Sequence, residues 1–114
     1  MGEYKKLINY LKKYRLIKVR LESIKLKEKN NKLESHLLKE KKEKEEIISL
    51  IDSALKILDE EQELPLIQTK YLKNVNKRNS DIYNTRDFPY SSSQYYRVKK
   101  RALKKLDQSI GDLL

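Results

Sequence analysis

Near its start the chain places apolar residues at steps of three and four: Tyr4, Leu7, Leu11, Tyr14, Ile17, Leu21 and Ile24. A strand alternates every second residue, whereas a helix gathers this spacing onto one face. Little downstream would break a helix, with only two glycines and two prolines in 114 residues. Few tight β-turns are therefore available, and the β-branched runs that a sheet needs are missing. The spacing predicts an all-α protein.

Taken in order, residues 3–28 read as a first helix. Lys29, Asn30, Asn31 and Lys32 form a candidate break, since asparagine favours caps and turns over helix interiors; a helix continuous through this point is the alternative. Residues 33–61 read as a second helix. Its apolar stripe starts at Leu33, Leu37 and Leu38 and resumes from Ile47 to Leu58. Between them lies a charged block, Lys39 to Glu46, expected to project into solvent or to lie along a partner helix. Residues 1–29 carry ten Lys/Arg against three Glu, a local charge of +7, and residues 30–64 carry six Lys against ten Asp/Glu, a local charge of −4. Opposite charge makes an antiparallel hairpin of the two helices sensible, while a coiled-coil homodimer would use the same apolar positions. Residues 1–61 thus form a unit of long charged helices for packing, oligomerisation or partner contact, and residues 62–114 form a second unit.

The whole chain carries a net charge of +10 and a pI of about 9.7. A small protein this basic is expected to meet an anionic partner, nucleic acid before membrane surface. Cysteine is absent, which excludes a disulfide framework and a thiolate site and fits a cytoplasmic location. No apolar run approaches the roughly 20 residues of a membrane span, and the N-terminus lacks the apolar block of a signal peptide. No membrane partner is expected. Enzyme readings are weak. His36 with Glu40 makes one imidazole and one carboxylate, too few for a metal site. There is no Gly-rich phosphate loop or nucleophile–base pair, and Asp81 and Asp87 suit caps and turns. No cofactor, metal or catalytic residue is expected.

The second unit opens with the acidic run Asp59 to Glu63, read as a helix end and a solvated linker. Pro65 fits the first turn of a new helix, which carries Leu64, Leu66, Ile67, Tyr71, Leu72 and Val75. Asn74 to Ser80 reads as a polar loop and Asp81 to Phe88 as a second short helix. Pro89 disfavours helix at Phe88 and marks a turn. A longer helix follows, with Ser91 or Ser92 as its cap and Gly111 as its C-cap. Tyr95, Val98, Ala102 and Leu106 make its apolar face, and a basic face lies opposite.

A short helix, a turn and a longer helix with a serine-rich start make a helix-turn-helix plan, whose second helix enters the major groove. Ser92, Ser93, Gln94 and Arg97 are placed to reach base edges, Gln suiting adenine and Arg guanine. Tyr96 is expected on sugar or a thymine methyl, or over the core. Lys100, Arg101 and Lys104 lie further along and are assigned to phosphate.

Residues 91–106 also resemble the recognition helix of region 4 of bacterial sigma factors. They share a capping serine, polar readers, an apolar pair three apart, then Ala-Leu and a closing Leu. The likeness is closer to the phage late-transcription regulators of the ArpU and RinA type. It rests on Tyr95, Tyr96, Arg97, Lys99, Ala102, Leu103, Ile110 and Gly111, with Ile67 and Tyr71 upstream, and covers about residues 47–111. The chain departs from that pattern between Ile82 and Ser91, where the spacing is longer and Tyr83 or Asn84 replaces a small residue. The resemblance implies a sigma region 4-like helix-turn-helix. It also implies an activator of a phage or prophage late operon in a bacterial host, at the nucleoid, with double-stranded DNA and host RNA polymerase as partners. Two other readings fit a basic helical chain: a DNA-packaging recognition subunit like a small terminase, and a helical protein-interaction module.

Overall fold

A computed structural model of the chain describes residues 4–73, 77–86 and 88–114. It is all-α, with no named strand among the described residues. Two long helices, α1 (Lys5–Asn30) and α2 (Ser35–Leu55), form an antiparallel hairpin. The short α3 (Glu63–Ile67) runs directly into a π-helical segment, Gln68–Lys73. A 3-10 turn follows at Asn79–Asp81, and α4 spans Ser92–Ile110. No described helix is long and apolar enough to cross a membrane.

The break between the first two helices falls at residues 31–34. Asn31 turns extended, and its N–H donates to the Lys27 carbonyl at 2.8 Å, closing α1. Leu33 is buried with Ile24 and Leu37, so the connection is pinned by its own apolar residue. The charged block of α2 lies along α1. Arg20 grips Glu40 with two nitrogens at 2.6 and 3.1 Å, and Lys41 reaches Glu28 at 2.7 Å. Tyr14 donates to Asp52 at 2.5 Å nearer the base of the hairpin.

α2 ends earlier than the expected residue 61. Its last turn tightens, with Lys56, Ile57 and Leu58 each donating to the carbonyl three residues back. Asp59 then caps the next helix. Its carboxylate accepts the N–H groups of Gln62 (2.7 Å) and Glu63 (3.0 Å), which stops α2 and starts α3. Pro65 sits in the first turn of α3, where a missing N–H costs no helix bond.

The main core gathers Leu7 and Leu11 of α1, Ile51, Ala54 and Leu58 around the end of α2, and Leu66, Ile67, Tyr71 and Leu72. The inner face of α4 completes it, together with Ile82 and Phe88 from the connection before that helix. Beyond this body the hairpin continues as an arm, held by two small clusters: Ile17, Leu21 and Ile48, then Ile24, Leu33 and Leu37. The arm draws the molecule out to 52 × 28 × 25 Å.

The second short helix expected over residues 81–88 is replaced by an open turn. Ile82 and Phe88 are both fully buried, yet six residues apart they would stand about 120° from each other on a helix. A loop lets both enter the core. Asn84 adopts a left-handed φ of 58°, and its N–H donates to the Tyr90 carbonyl at 2.9 Å. Tyr83 bridges to Phe88, and the Thr85 hydroxyl caps the Ile82 carbonyl. The turn at Pro89 is present, closed by Tyr90 N–H on the Phe88 carbonyl at 2.8 Å. Glu3, residues Asn74 to Asn76 and Asp87, which also entered the sequence reading, lie outside the described residues.

Candidate nucleic-acid interface

α4 begins at a serine cap: Ser91 is extended and its hydroxyl oxygen accepts the Gln94 N–H at 3.2 Å. The inner stripe of Tyr95, Val98, Ala102, Leu106 and Ile110, with Leu103 beside it, is buried. Tyr95 is the pivot. Its ring meets Phe88 edge-on at 5.6 Å and tilts against Tyr83 at 5.6 Å, and its hydroxyl donates to Asn79 at 2.6 Å. The helix is thus fixed to the preceding loop through one aromatic side chain. At the other end Gly111 caps α4 in a right-handed conformation, its N–H donating to the Asp107 carbonyl at 2.8 Å. The glycine there is used for close approach, because an added Cβ would fall 2.6 Å from that same carbonyl.

With the inner stripe committed, Ser93, Arg97, Lys100 and Lys104 step by four, three and four along the outer face, and all four are exposed. Arg97, Lys100 and Lys104 make no ion pair among the described residues; Arg97 leans 3.5 Å from the Gln94 amide oxygen. Tyr96 flanks this strip, half exposed, with its ring edge-on to Tyr95 at 5.2 Å. Ser92 and Gln94 are half-buried at the helix start.

Arg101 stands apart from the other expected phosphate-binding residues. Its guanidinium turns inward to Glu63 at 2.6 Å and to Asp59 at 3.5 Å. Glu63 is fully buried and takes Lys105 as well, at 2.8 Å, plus the Asp59 N–H at 2.9 Å. Burial pushes the Glu63 carboxyl up, but Lys105, the Asp59 amide and Arg101 together outweigh it and hold the group below its ordinary range. The acidic run expected to be solvated therefore supplies the ion that anchors α4 to the start of α3.

Two cations outside the expected set also sit at this helix. Lys99 of α4 and Lys70 of the π-helical segment are half-buried and end on the same loop. Lys70 donates to the Lys77 carbonyl at 2.6 Å and Lys99 to the Asn79 amide oxygen at 3.3 Å. Lys99 could have been found in the sequence, since it lies four residues after Tyr95 and three before Ala102, both core positions. Nothing local marks Lys70. His36 stays in solvent, 3.4 Å from Glu34.

The connection from Lys73 to Ser92 contains eighteen residues, whereas a helix-turn-helix joins its helices by a turn of about three or four. Among the described residues of that connection the helical piece is the 3-10 turn at Asn79–Asp81, and no α-helix is packed directly before α4. No protein-family model, curated protein or solved structure matches the chain, so the reading of the interface rests on its own geometry.

Proposed function

We propose that this protein is a sequence-specific DNA-binding regulator of transcription that lays the outer face of α4 in the major groove. The observation that carries the reading is the exposed strip Ser93, Arg97, Lys100 and Lys104 on a helix whose opposite face is locked in the core. Such a helix offers polar readers at its capped end and cations further along, the order a groove-bound helix uses for base edges and phosphates. Ser92, Gln94 and Tyr96 border the reading end. Arg101 shapes the site through Glu63 rather than by gripping phosphate. The region 4-like element is, in this reading, α4 itself carried on a looped platform.

The resemblance of residues 91–106 to the phage late regulators makes a late-operon promoter the expected target and host RNA polymerase the second partner, with the protein as its activator. The arm is assigned to that contact, or to a second copy of this chain. Leu16, Val19 and Leu26 stand exposed on its outer side, and they fall on the face of α1 opposite Ile17, Leu21 and Ile24.

Selection of bound duplexes from a random pool, followed by anisotropy titration, tests the DNA reading. Arg97→Ala should lose about 1–3 kcal/mol of discrimination at one base position. Lys104→Ala should weaken every duplex alike and flatten the salt dependence by about one unit of slope. Unchanged binding in both variants would remove α4 from the groove.

A further inference from the structure

The body of the molecule contains a convergence of like charge in which the lysines make no ion pair among the described residues. Lys12 comes from α1, Lys70 from the π-helical segment and Lys99 from α4. Lys70 and Lys99 are half-buried, and their ammonium groups end two residues apart on the loop at Lys77 and Asn79. Both partners are neutral oxygens, which solvate a cation without cancelling its charge. Neither lysine forms an ion pair among the described residues. Asp81, the acid nearest Lys70 in effect, is occupied by Arg78, which meets it with its backbone N–H at 3.0 Å and its guanidinium at 3.3 Å. One turn along α1 from Lys12, Arg15 donates to the Lys73 carbonyl at 3.3 Å, at the end of the π-helical segment that carries Lys70.

Burial pushes Lys70 below the ordinary lysine value, and Lys12 adds to it. Burial does the same to Lys99, with Lys70 and then Lys12 adding their repulsion. Crowding like charges in this way works against the fold electrostatically. Each ammonium has three donors and spends one on the loop, so each keeps two for an oxyanion.

We propose that Lys12, Lys70 and Lys99 form a phosphate-holding site beside α4, which takes a backbone phosphate when the protein lies on nucleic acid. The site rests on the DNA reading only for the source of its phosphate; free phosphate has the same chemistry. It is also distinct from the outer strip, because Lys99 is half-buried and turns to the loop at Asn79, whereas the strip is exposed.

The test uses the full chain carrying Lys70→Met and Lys99→Met together, which keeps the apolar stems and removes the charges. Lys12→Ala, at an exposed position, repeats the test without risk to the core. Three quantities are read: the melting temperature, the stabilisation by inorganic phosphate over chloride at equal ionic strength, and the salt slope of duplex binding. The double variant should melt higher than the parent and lose the phosphate stabilisation. It should bind every duplex about tenfold more weakly, with a slope shallower by about one. Lys70→Arg with Lys99→Arg should retain binding. If the parent binds DNA and the Met and Ala variants match it in affinity and slope, the phosphate site is overturned while the reading of α4 stands. If no duplex binds but phosphate stabilises the parent and not the double variant, the reading of α4 fails and the site stands. A Met variant that melts lower and binds DNA normally would reduce the lysines to loop staples and overturn the proposal.

Discussion

The arm and the body of this protein are both helical and both rich in charge, and they treat charge in opposite ways. In the arm, cations and anions meet across the hairpin in solvent: Arg20 with Glu40 and Lys41 with Glu28. Its apolar content is thin, limited to two clusters of three buried residues. The body has one broad core, a fully buried carboxylate at Glu63 that is the one such group among the described residues, and cations left over on and beside α4. Charge neutralised within the chain needs no partner. Charge that stays unneutralised on a rigid support is what a polyanion can use, and this separates the part that holds the molecule out from the part proposed to grip.

The largest expected contrast lies in packing. Phe88 is fully buried and meets both Tyr90 and Tyr95, so Phe88→Ala should cost about 3–5 kcal/mol and lower the single unfolding transition of the whole body. Ile24 is nearly as buried but belongs to a cluster of three. Ile24→Ala should cost about 2 kcal/mol, the floor of the large-to-small range, and act locally. Hydrogen exchange should speed up in residues 21–40 and leave α4 protected. Equal loss of protection in α4 would mean that arm and body unfold as one, and the contrast would collapse.

Glu63 tests the electrostatic side. Glu63→Gln keeps the shape but strands Lys105 and leaves Arg101 only Asp59, at 3.5 Å. The expected loss is about 2–3 kcal/mol, at the low end for a broken buried pair because both cations reach water. The pH dependence follows from the lowered carboxyl of Glu63. Asp59 behaves alike: burial opposes the shift, and the Gln62 and Glu63 amides, Arg101 and Lys105 outweigh it. When the folded pKa lies below the unfolded one, the unfolded chain binds more protons in acid. The contribution is complete above about pH 5 and lost as pH falls below about 4. Denaturant titrations between pH 3 and pH 7 should show a steeper acid loss in the parent than in Glu63→Gln. Parallel curves would place the carboxylate outside the stability balance.

Periodicity made most of the fold legible. The buried stripe of α4, the serine cap and the inner face of α1 follow from steps of three and four, because helix geometry turns spacing directly into a shared face. The residues between Asp59 and Ser91 did not yield to the same logic. Glu63 reads as a linker acid, and only its distance from Asp59, four residues with Pro65 just beyond, hints at reciprocal capping. Its pairing with Arg101 and Lys105, about forty positions away, is a tertiary event that no local pattern encodes. Ile82 to Phe88 carries the apolar content of a short helix, but the core needs both of its ends, and only a loop delivers them. The same gap explains Arg101. A wheel of α4 puts it on the basic face, and the neighbour that captures it comes from another element.

Arg20 carries the smallest expected effect and the sharpest test of how the arm uses charge. Its guanidinium holds Glu40 through two nitrogens, and Lys44 supports the same carboxylate at 3.6 Å. The Arg20–Glu40 hydrogen bonds raise the guanidinium and hold the Glu40 carboxyl below its ordinary range. All of these groups stand at the surface, where water and salt screen the attraction and ordering two long side chains offsets much of it. Arg20→Ala should therefore lower the melting temperature slightly at low ionic strength and not measurably in molar salt, where the Debye length is about 3 Å. Affinity for DNA should not change, since the cation removed was already neutralised within the chain. A clear drop in duplex binding would mean that Arg20 leaves Glu40 for phosphate, and that the arm lies along the polyanion together with the body.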